Sequence, residues 1–540
     1  MASKTNKLLI NAADFPFTYA HAQRSAIEGN DIAPRMPGQF YGDKINADYG
    51  APQLVYCENV LPFNKGIYSV GFSQQVAAIP AGIITADTVI ALRDASERIF
   101  TLVPARGGNY IYSPITAAWA SVTPFAFTAS LITRAYINGR TFICYEKSRI
   151  LEYDAVTGLL VSAPIIFPAG TTMANVRGIG GASNYLLLFT ELEILWCSPL
   201  NVMDFSSIDA GAGQQVPIEI RGQITAILPI SGGFIAYTAR NAIGATFTNN
   251  ANAPFIFKEV INCGGVASWE QVATDAAETG HYLWGTHGLQ LANLTAAVAV
   301  HPALTDFLLG GQMETWNPAT KRVDRSTSAG TMSVKLATVS GRWLIISYGL
   351  GTTGFSHAVI YDEALRRWGK VCIDHVAAFL YPYPSGTGDY TYDTLPGTYA
   401  DLTKDYLTLS VLFVDVIPAK KGIAFLKSTG QILVLTPDFT QVSSSGVAVF
   451  GHIAYKNDEH TTIHLIELDG LRSTPAPVVT VMSSKNGKDR DRNVTPTLLV
   501  TDNEYRRYGM RVTDKNHDIA IEGNFVLTNL FADVMHHGYR

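Results

Sequence analysis

The side chains that could do chemistry are scattered along the sequence. His281 and His287 flank Trp284 with no cysteine or acidic residue in that segment, and His536-His537 lie near the C-terminus. Protein metal sites need Cys, His or carboxylate ligands at short, regular spacing. We therefore interpret His281 and His287 as structural histidines with satisfied ring nitrogens, and His536-His537 as solvated. No metal is predicted.

Two glycine-rich segments, Gly178-Ile-Gly-Gly-Ala182 and Ala210-Gly-Ala-Gly213, could be mistaken for phosphate loops. A phosphate loop needs a following helix whose N-terminus faces the anion, and no helical pattern follows either segment. The nucleophile elbow of serine hydrolases and the sequence box of propeller sialidases are also missing. Paired carboxylates brought together from distant segments stay open. We predict no enzyme activity and no cofactor.

Composition narrows the class of protein. The 540 residues are 47% hydrophobic and 16% charged, with a formal net charge of -5. Such a chain is too apolar for disorder, and its low charge fits either a large core or burial against partner subunits. The net charge argues against a dedicated nucleic-acid binder, which normally carries a basic face, but not against a surface that DNA merely passes.

Cysteine usage and the N-terminal segment indicate folding in a reducing compartment. The five cysteines are an odd number and include no Cys-x-x-Cys pair, so we expect reduced, buried thiols. The N-terminal residues lack the apolar core of a secretory signal. No stretch has the roughly 18 apolar residues that a spanning helix needs. We therefore expect synthesis in the cytosol and no membrane-spanning segment.

Short apolar runs that end in Gly, Asn, Asp or Pro recur throughout and predict a mostly β chain. The clearest unit spans residues 134–164, where Asn138-Gly139 joins two apolar runs and two further short runs follow. Asn-Gly tolerates the positive φ angles of a tight hairpin turn. The segment therefore predicts four antiparallel strands, which is one propeller blade or one meander.

Internal repetition favours the blade. A residue that closes a strand is followed seven positions later by an apolar or aromatic residue. These marks are Tyr112 to Trp119, Tyr153 to Leu160, Ser198 to Phe205, Trp316 to Val323, Tyr361 to Trp368 and Leu435 to Val442. The marks that begin at Tyr112, Tyr153 and Ser198, and those at Trp316 and Tyr361, lie about 40–50 residues apart, the blade period of propellers. Weaker marks are placed near Tyr237 and Leu283.

The predicted fold is mostly β, a six- or seven-bladed β-propeller with an additional small β platform or C-terminal domain. We assign residues 1–80 to an N-terminal arm that contributes to the platform, and residues 81–460 to the propeller. An insertion at about 380–415 projects from one blade, and residues 461–540 form a C-terminal β domain. One aromatic at the same place in successive blades usually packs between blades. We predict that role for Trp119, Trp196, Phe205 and Trp368. Sugar stacking is the alternative for Trp119, Phe205 and Trp368.

Three segments resemble the tail nozzle proteins of short-tailed bacteriophages, also called tail tubular or packaged-DNA-stabilising proteins. The first is Leu195-Trp-Cys-Ser-Pro-Leu-Asn-Val-Met-Asp-Phe205 with the glycines and strands that follow it, to Tyr237. The second is Ala358-Val-Ile-Tyr-Asp-Glu-Ala-Leu-Arg-Arg-Trp-Gly-Lys370. The third is His517-Asp-Ile-Ala-Ile-Glu-Gly523 with Gly538-Tyr-Arg540.

The resemblance implies a virion tail protein, assembled in the host cytoplasm, that forms a homohexameric ring. The ring would contact the phage adaptor protein above it and tail fibres or other tail proteins, and DNA would pass through it transiently without sequence recognition. Two other readings stay open. The chain could be a propeller-type glycan- or receptor-binding protein, which would bind glycans through exposed aromatics, or a propeller glycoside hydrolase, which would place carboxylates at the propeller axis.

Overall fold

A computed structural model describes residues 6–10, 53–63, 66–74, 89–93, 99–105, 108–113, 118–121, 131–154, 157, 159–248, 250, 253–327, 332–339, 341–350, 354–382, 421–428, 431–436, 446–454, 460–469, 477–484, 492–501 and 505–537. The predicted insertion at 380–415 lies outside these residues from position 383 onward, as does most of the predicted arm. The described part is mostly β, as the sequence predicts, and is divided into small antiparallel sheets.

Five of these sheets are meanders of four strands that follow each other in the chain, and we name them A to E. Sheet A contains Ile90–Arg93, Ile99–Ala105, Gly108–Ser113 and Ala118–Ser121. Sheet B contains Ile132–Ile137, Arg140–Tyr145, Arg149–Asp154 and Leu159–Ser162. Sheet C contains Gly178–Ala182, Tyr185–Phe189, Ile194–Trp196 and Gly213–Gln215. Sheet D contains Ile224–Ile230, Gly233–Thr238, Ala242–Phe247 and Phe255–Glu259. Sheet E contains Val272–Thr274, His281–Gly285, Gly288–Ala292 and Ala297–Ala299.

Two further sheets recruit strands from the N-terminal region. Sheet F contains Met332–Val339, Trp343–Leu350, Phe355–Asp362 and Arg367–His375, and continues into Val60–Phe63, Gly66–Ser69 and Val526–Leu527. Sheet G contains Ala377–Pro382, Lys421–Leu426 and Ile432–Thr436, and its fourth strand is Gly71–Gln74. The region that the sequence sets apart as an arm therefore supplies strands to sheets that are formed mainly by residues hundreds of positions away.

Successive sheets pack against each other through shared hydrophobic clusters. Each sheet shares a buried cluster with the next through members such as Ile111 and Ile143, Ile137 and Ile179, Leu187 and Ile227, Ile235 and Leu283, Tyr282 and Leu336, and Ile345 and Phe425. Phe379 and Tyr381 of sheet G share a cluster with Tyr110 and Trp119 of sheet A. Sheet G, the last in the chain, therefore packs against sheet A, the first.

Ten further strands form a platform of two five-stranded sheets. Sheet H contains, in spatial order, Asn6–Ile10, Asn529–His537, His460–Asp469, Tyr505–Asp514 and Thr497–Thr501. Sheet J contains Gln53–Glu58, Gly446–Ala454, Asn516–Gly523, Val478–Ser484 and Arg492–Val494. Their apolar faces share one cluster, which includes Ile466 of sheet H and Ile519 of sheet J and extends to sheets E and F. Strand Gly446–Ala454, on the propeller side of the predicted boundary at 460, lies in the platform.

A hairpin and a short helix lie between sheets E and F in the sequence. The hairpin strands are Gln312–Asn317 and Arg322–Thr327, and Trp316 packs against sheet J. The α-helix is Pro302–Leu309, with 3-10 turns at Met173–Asn175, Ile208–Ala210 and Trp269–Gln271. The mark Trp316 to Val323 therefore belongs to this hairpin and not to a four-stranded sheet, because any hairpin of that length produces the same spacing.

Candidate assembly surface

The first segment that carries the family resemblance forms a fixed loop between the third and fourth strands of sheet C. The Ser198 hydroxyl donates to the Ala210 carbonyl at 2.8 Å, and the Trp196 indole N–H donates to the Gly211 carbonyl at 3.2 Å. These bonds tie the two ends of the loop together. We refer to residues 198–210 as the sheet C loop.

Asp204 orders the middle of this loop. Its carboxylate accepts hydrogen bonds from the backbone N–H and the hydroxyl of both Ser206 and Ser207. These donors, with the Ser207 hydroxyl contributing most, lower the pKa of Asp204 to about 2. The carboxylate is therefore ionised at neutral pH and acts as a cap for local N–H groups. Backbone bonds from Ile166 to Met203 and from Phe205 to Ile166, at 2.8 and 2.9 Å, also hold the loop against the connection from sheet B.

This ordered loop presents apolar side chains to solvent. Leu200 is 87% exposed and Ile208 is 76% exposed. At the other end of edge strand Gly213–Gln215, Ile218 is 95% exposed, and Leu192 and Val216 are also exposed. We call these five side chains the sheet C border. Exposed apolar side chains in such number are typical of a surface that binds a partner.

The absence of a side chain at Gly213 determines how the strand beside the sheet C border packs. A Cβ at this position would lie 2.5 Å from the Trp196 ring, which packs edge-on against Phe255 of sheet D at 5.5 Å. We expect Gly213→Ala to destabilise the fold by about 1–3 kcal/mol, because a rigid indole in a packed interface cannot move aside. Thermal unfolding followed by tryptophan fluorescence measures this effect. Gln214→Ala, an exposed position of the same strand, is the control and should change the melting temperature by less than a degree or so.

The second segment of resemblance is the hairpin formed by Phe355–Asp362 and Arg367–His375. Asp362 is fully buried and forms a two-point ion pair with Arg342, whose Nη2 lies 2.6 Å from the carboxylate. The same carboxylate accepts the backbone N–H groups of Ala364 and Leu365 in the turn. The segment therefore stabilises sheet F.

The third segment, from His517 to Gly523, lies in strand Asn516–Gly523, which is placed between two partner strands in sheet J, and its second part, Gly538-Tyr-Arg540, lies outside the described residues. The His517 Nε2–H donates to the Thr461 carbonyl at 3.0 Å, which joins the two sheets of the platform. Glu522 accepts the Trp316 indole N–H at 3.1 Å and pairs with Lys321 at 2.5 Å. This strand therefore connects sheet J to sheet H and to the hairpin.

A buried polar junction joins the platform to sheet F. The Lys370 ammonium donates to the Glu314 carbonyl at 2.8 Å and lies 4.6 Å from the centre of the Tyr56 ring. The Tyr56 hydroxyl donates to Glu58 at 2.6 Å. Burial, followed by the charge of Glu58, raises the pKa of Tyr56 well above its ordinary value. A neutral phenol that is hydrogen-bonded in this way is a structural connection and not a proton donor for catalysis near neutral pH.

Cys372 and His357 form the pair that most resembles a nucleophile and its base. The Cys372 sulfur lies 3.4 Å from His357 Nε2, and Ser356 is hydrogen-bonded to Nδ1 at 2.9 Å. Burial raises the pKa of Cys372 to about 12 and lowers the pKa of His357 well below its ordinary value. The pair is therefore a thiol beside a neutral imidazole, and the thiolate required for nucleophilic attack is not favoured. None of the five cysteines forms a disulfide.

The aromatics named from the sequence pack between structural elements. Trp196 is 7% exposed in the cluster shared by sheets C and D, and Phe205 is 1% exposed in the cluster shared by B and C. Trp119 is partly buried between sheets G and A. Trp368 is partly buried and lies 4.3 Å from the Tyr361 ring, centre to centre. Because Trp196 and Phe205 are buried, neither can stack on a sugar.

The candidate metal and phosphate segments are structural in the described residues. His281 is buried and both of its ring nitrogens are hydrogen-bonded, whereas His287 lies 3.5 Å from the Asn262 carbonyl. The side chains of His536 and His537 lie outside the described ones. The glycines at 178–182 allow the first strand of sheet C to approach its neighbours, because a Cβ on Gly180 would meet Ile227 at 2.8 Å.

Within the described ranges, no three His, Cys, Asp or Glu side chains are grouped so that they could hold a metal ion. No helix found there is long and apolar enough to cross a membrane. The sheet C border, in contrast, was not recognised from the sequence. A usable signal was present, because Leu200 and Ile218 each follow a proline in a turn-rich segment, where an apolar side chain has no strand or helix to bury it.

Comparison with known proteins adds little to this geometry. No family model matches the sequence, and no curated protein matches it. Among solved structures, a chain of "Crystal Structure of Mitotic Checkpoint Complex" has a TM-score of 0.34 and 8% sequence identity, and the match covers 66% of this chain and 97% of that one. A likeness at this level carries no argument about function.

Proposed function

We propose that sheets A to G are the blades of a seven-bladed propeller. Three observations support this arrangement: the four-stranded meanders of sheets A to E together with the four-stranded units present in sheets F and G, the hydrophobic clusters that join neighbouring sheets, and the cluster that joins sheet G to sheet A. In sheet G, strand Gly71–Gln74 pairs with Ile432–Thr436, so segments more than 350 positions apart complete one blade. Such pairing of chain ends protects the last blade edge.

We further propose that this protein is a structural subunit of the tail of a short-tailed bacteriophage, a ring-forming nozzle through which DNA is retained and ejected. The observation that carries a scaffold role is the sheet C border, where a loop fixed by hydrogen bonds exposes apolar side chains that only a partner can bury. The assignment to the phage tail rests on the three segments of resemblance. The first segment forms the sheet C loop, the second forms part of sheet F and the third forms part of the platform. Such structural roles are expected for a scaffold protein.

The experiment is to measure the mass of the purified chain by mass photometry, alone and after mixing with the adaptor protein encoded beside it. We expect particles with the mass of six copies of the 58.5 kDa chain, formed by the chain alone or after mixing with the adaptor. Negative-stain images should show rings. Particles of one to three subunits in both conditions would contradict the proposal, and binding to a glycan array would then favour the receptor-binding alternative.

A further inference from the structure

A second border with exposed apolar side chains lies on the platform. Strand Thr497–Thr501 is the terminal strand of sheet H, and its Leu498 and Leu499 are 39% and 58% exposed. We call these two side chains and the exposed Arg511, on the neighbouring strand Tyr505–Asp514, the sheet H border. A terminal strand with exposed leucines is a site that natural proteins normally cover.

The two borders carry opposite charge. Between Arg177 and Arg221, the 43 residues of the sheet C region contain five carboxylates and no lysine or arginine. The residues from Arg492 to Lys515 contain five basic and three acidic side chains; among them Asp514 is buried and Arg507 is paired with Glu467 at 2.6 Å. In the sheet C region, Glu191 is paired with Lys147 at 3.9 Å. An acidic apolar surface is complementary to a basic apolar surface. The acidic border of one copy can therefore pair with the basic border of a second copy, whereas two copies of the same border cannot pair in this way.

We propose that the sheet C border of one copy binds the sheet H border of the next copy. The inference deepens the proposed ring function, on which it rests, by naming the two faces that meet. Because the faces differ, the contact is heterologous, and repeated contacts close into a ring when the rotation between copies divides a full turn. The leucines and isoleucines supply most of the affinity, and the charges set the register and speed the encounter.

The first test places on each border a charge of the same sign as the border that it faces in the next copy. Leu200→Lys faces the basic sheet H border with a lysine, and Leu499→Glu faces the acidic sheet C border with a carboxylate. Both positions are exposed, so thermal unfolding should be unchanged. We expect each variant to weaken assembly at least about tenfold in sedimentation velocity, because each replaces a buried apolar contact with like-charge repulsion. Leu309→Lys, at a 60% exposed leucine outside both borders, is the matched control and should assemble as the unaltered chain does.

The second test combines both substitutions in one chain. Leu200→Lys with Leu499→Glu puts opposite charges together again, so we expect assembly to recover at least partly relative to either single variant. Assembly of the unaltered chain that neither single variant weakens would overturn this pairing and leave the ring function standing. Weakening by both singles without recovery in the double variant would also overturn the pairing. An unaltered chain that stays monomeric with and without the adaptor would remove the proposed function itself.

Discussion

Lowering the pH from 6.5 to 4 is expected to cost the fold about 3 kcal/mol at His281 alone. His281 Nε2–H donates to the Pro229 carbonyl at 2.8 Å, since a carbonyl can only accept. Nδ1 therefore accepts the Tyr237 hydroxyl at 2.9 Å, which joins sheets D and E around a neutral ring. Burial lowers the pKa of His281 to about 4, against the weaker opposing effects of the Pro229 hydrogen bond and of the charge of Asp275.

The sign follows from proton binding. The unfolded histidine has the ordinary pKa of 6.5 and binds a proton between pH 6.5 and 4, whereas the folded one stays neutral. The contribution of His281 is therefore complete above pH 6.5 and is lost as the pH falls through 4. His375, which donates to the Ile373 carbonyl and bonds to Ser347, has its pKa lowered to about 4 for the same reason, and Lys335 adds to the shift.

Thermal unfolding at pH 7, 6, 5 and 4 checks this expectation. His281→Gln keeps a donor and an acceptor at the site but does not titrate, so its melting temperature should fall less steeply with acidification than that of the unaltered chain. His287→Gln, at a more exposed histidine, serves as the control for the replacement of a histidine by glutamine. Parallel pH profiles for His281→Gln and the unaltered chain would show that His281 is not linked to acid stability.

Asp362→Ala is expected to destabilise the fold by about 3–5 kcal/mol. The substitution removes the partner of Arg342, whose side chain is only 22% exposed and also lies 4.9 Å from the centre of the Trp343 ring. It also removes the acceptor for two backbone N–H groups in the turn that follows. Leaving a charge and two donors without partners in a packed sheet costs more than the ion pair itself contributes.

The matched control is Glu152→Ala in sheet B, which breaks an equally close two-point ion pair with Arg140. Arg140 is 39% exposed, so water replaces the lost partner and the cost should be about 0.2–1 kcal/mol. Chemical denaturation of both variants measures the difference. Equal losses for the two variants would mean that burial does not govern the strength of these ion pairs here.

The seven-residue marks read from the sequence have a simple structural origin. Tyr112 pairs with Trp119, Tyr153 with Leu160, and Tyr361 with Trp368, each across the third and fourth strands of a sheet. The spacing identifies such hairpins because the two residues of a cross-strand pair at a given distance from the turn are separated by the same number of residues whenever the turn has the same length. The spacing does not identify four-stranded sheets. Trp316 and Val323 have this spacing although their hairpin lies outside those sheets. Ser198 and Phe205 belong to the ordered loop, and Val442 lies outside the described residues.

The sequence by itself determined the local features of this protein. Alternation of apolar residues and turn chemistry specify most of the strands. Asn138 and Gly139 adopt φ angles of 51° and 76°, as the predicted hairpin requires, and the strands of sheet B follow directly. These features depend on residues a few positions apart, so their causes are visible in a short window of sequence.

Only the tertiary structure decided how the distant segments combine. Residues 53–63 and 66–74 complete sheets J, F and G, and Lys370 contacts Tyr56, which is more than 300 positions away in the sequence. His281 forms hydrogen bonds with Pro229 and Tyr237. The packing of sheet C leaves Leu200 exposed, although leucine side chains favour burial. Each of these outcomes depends on long-range packing and on the solvent that the packing excludes. Neither quantity is encoded in local spacing, because the same short pattern can meet many different partners.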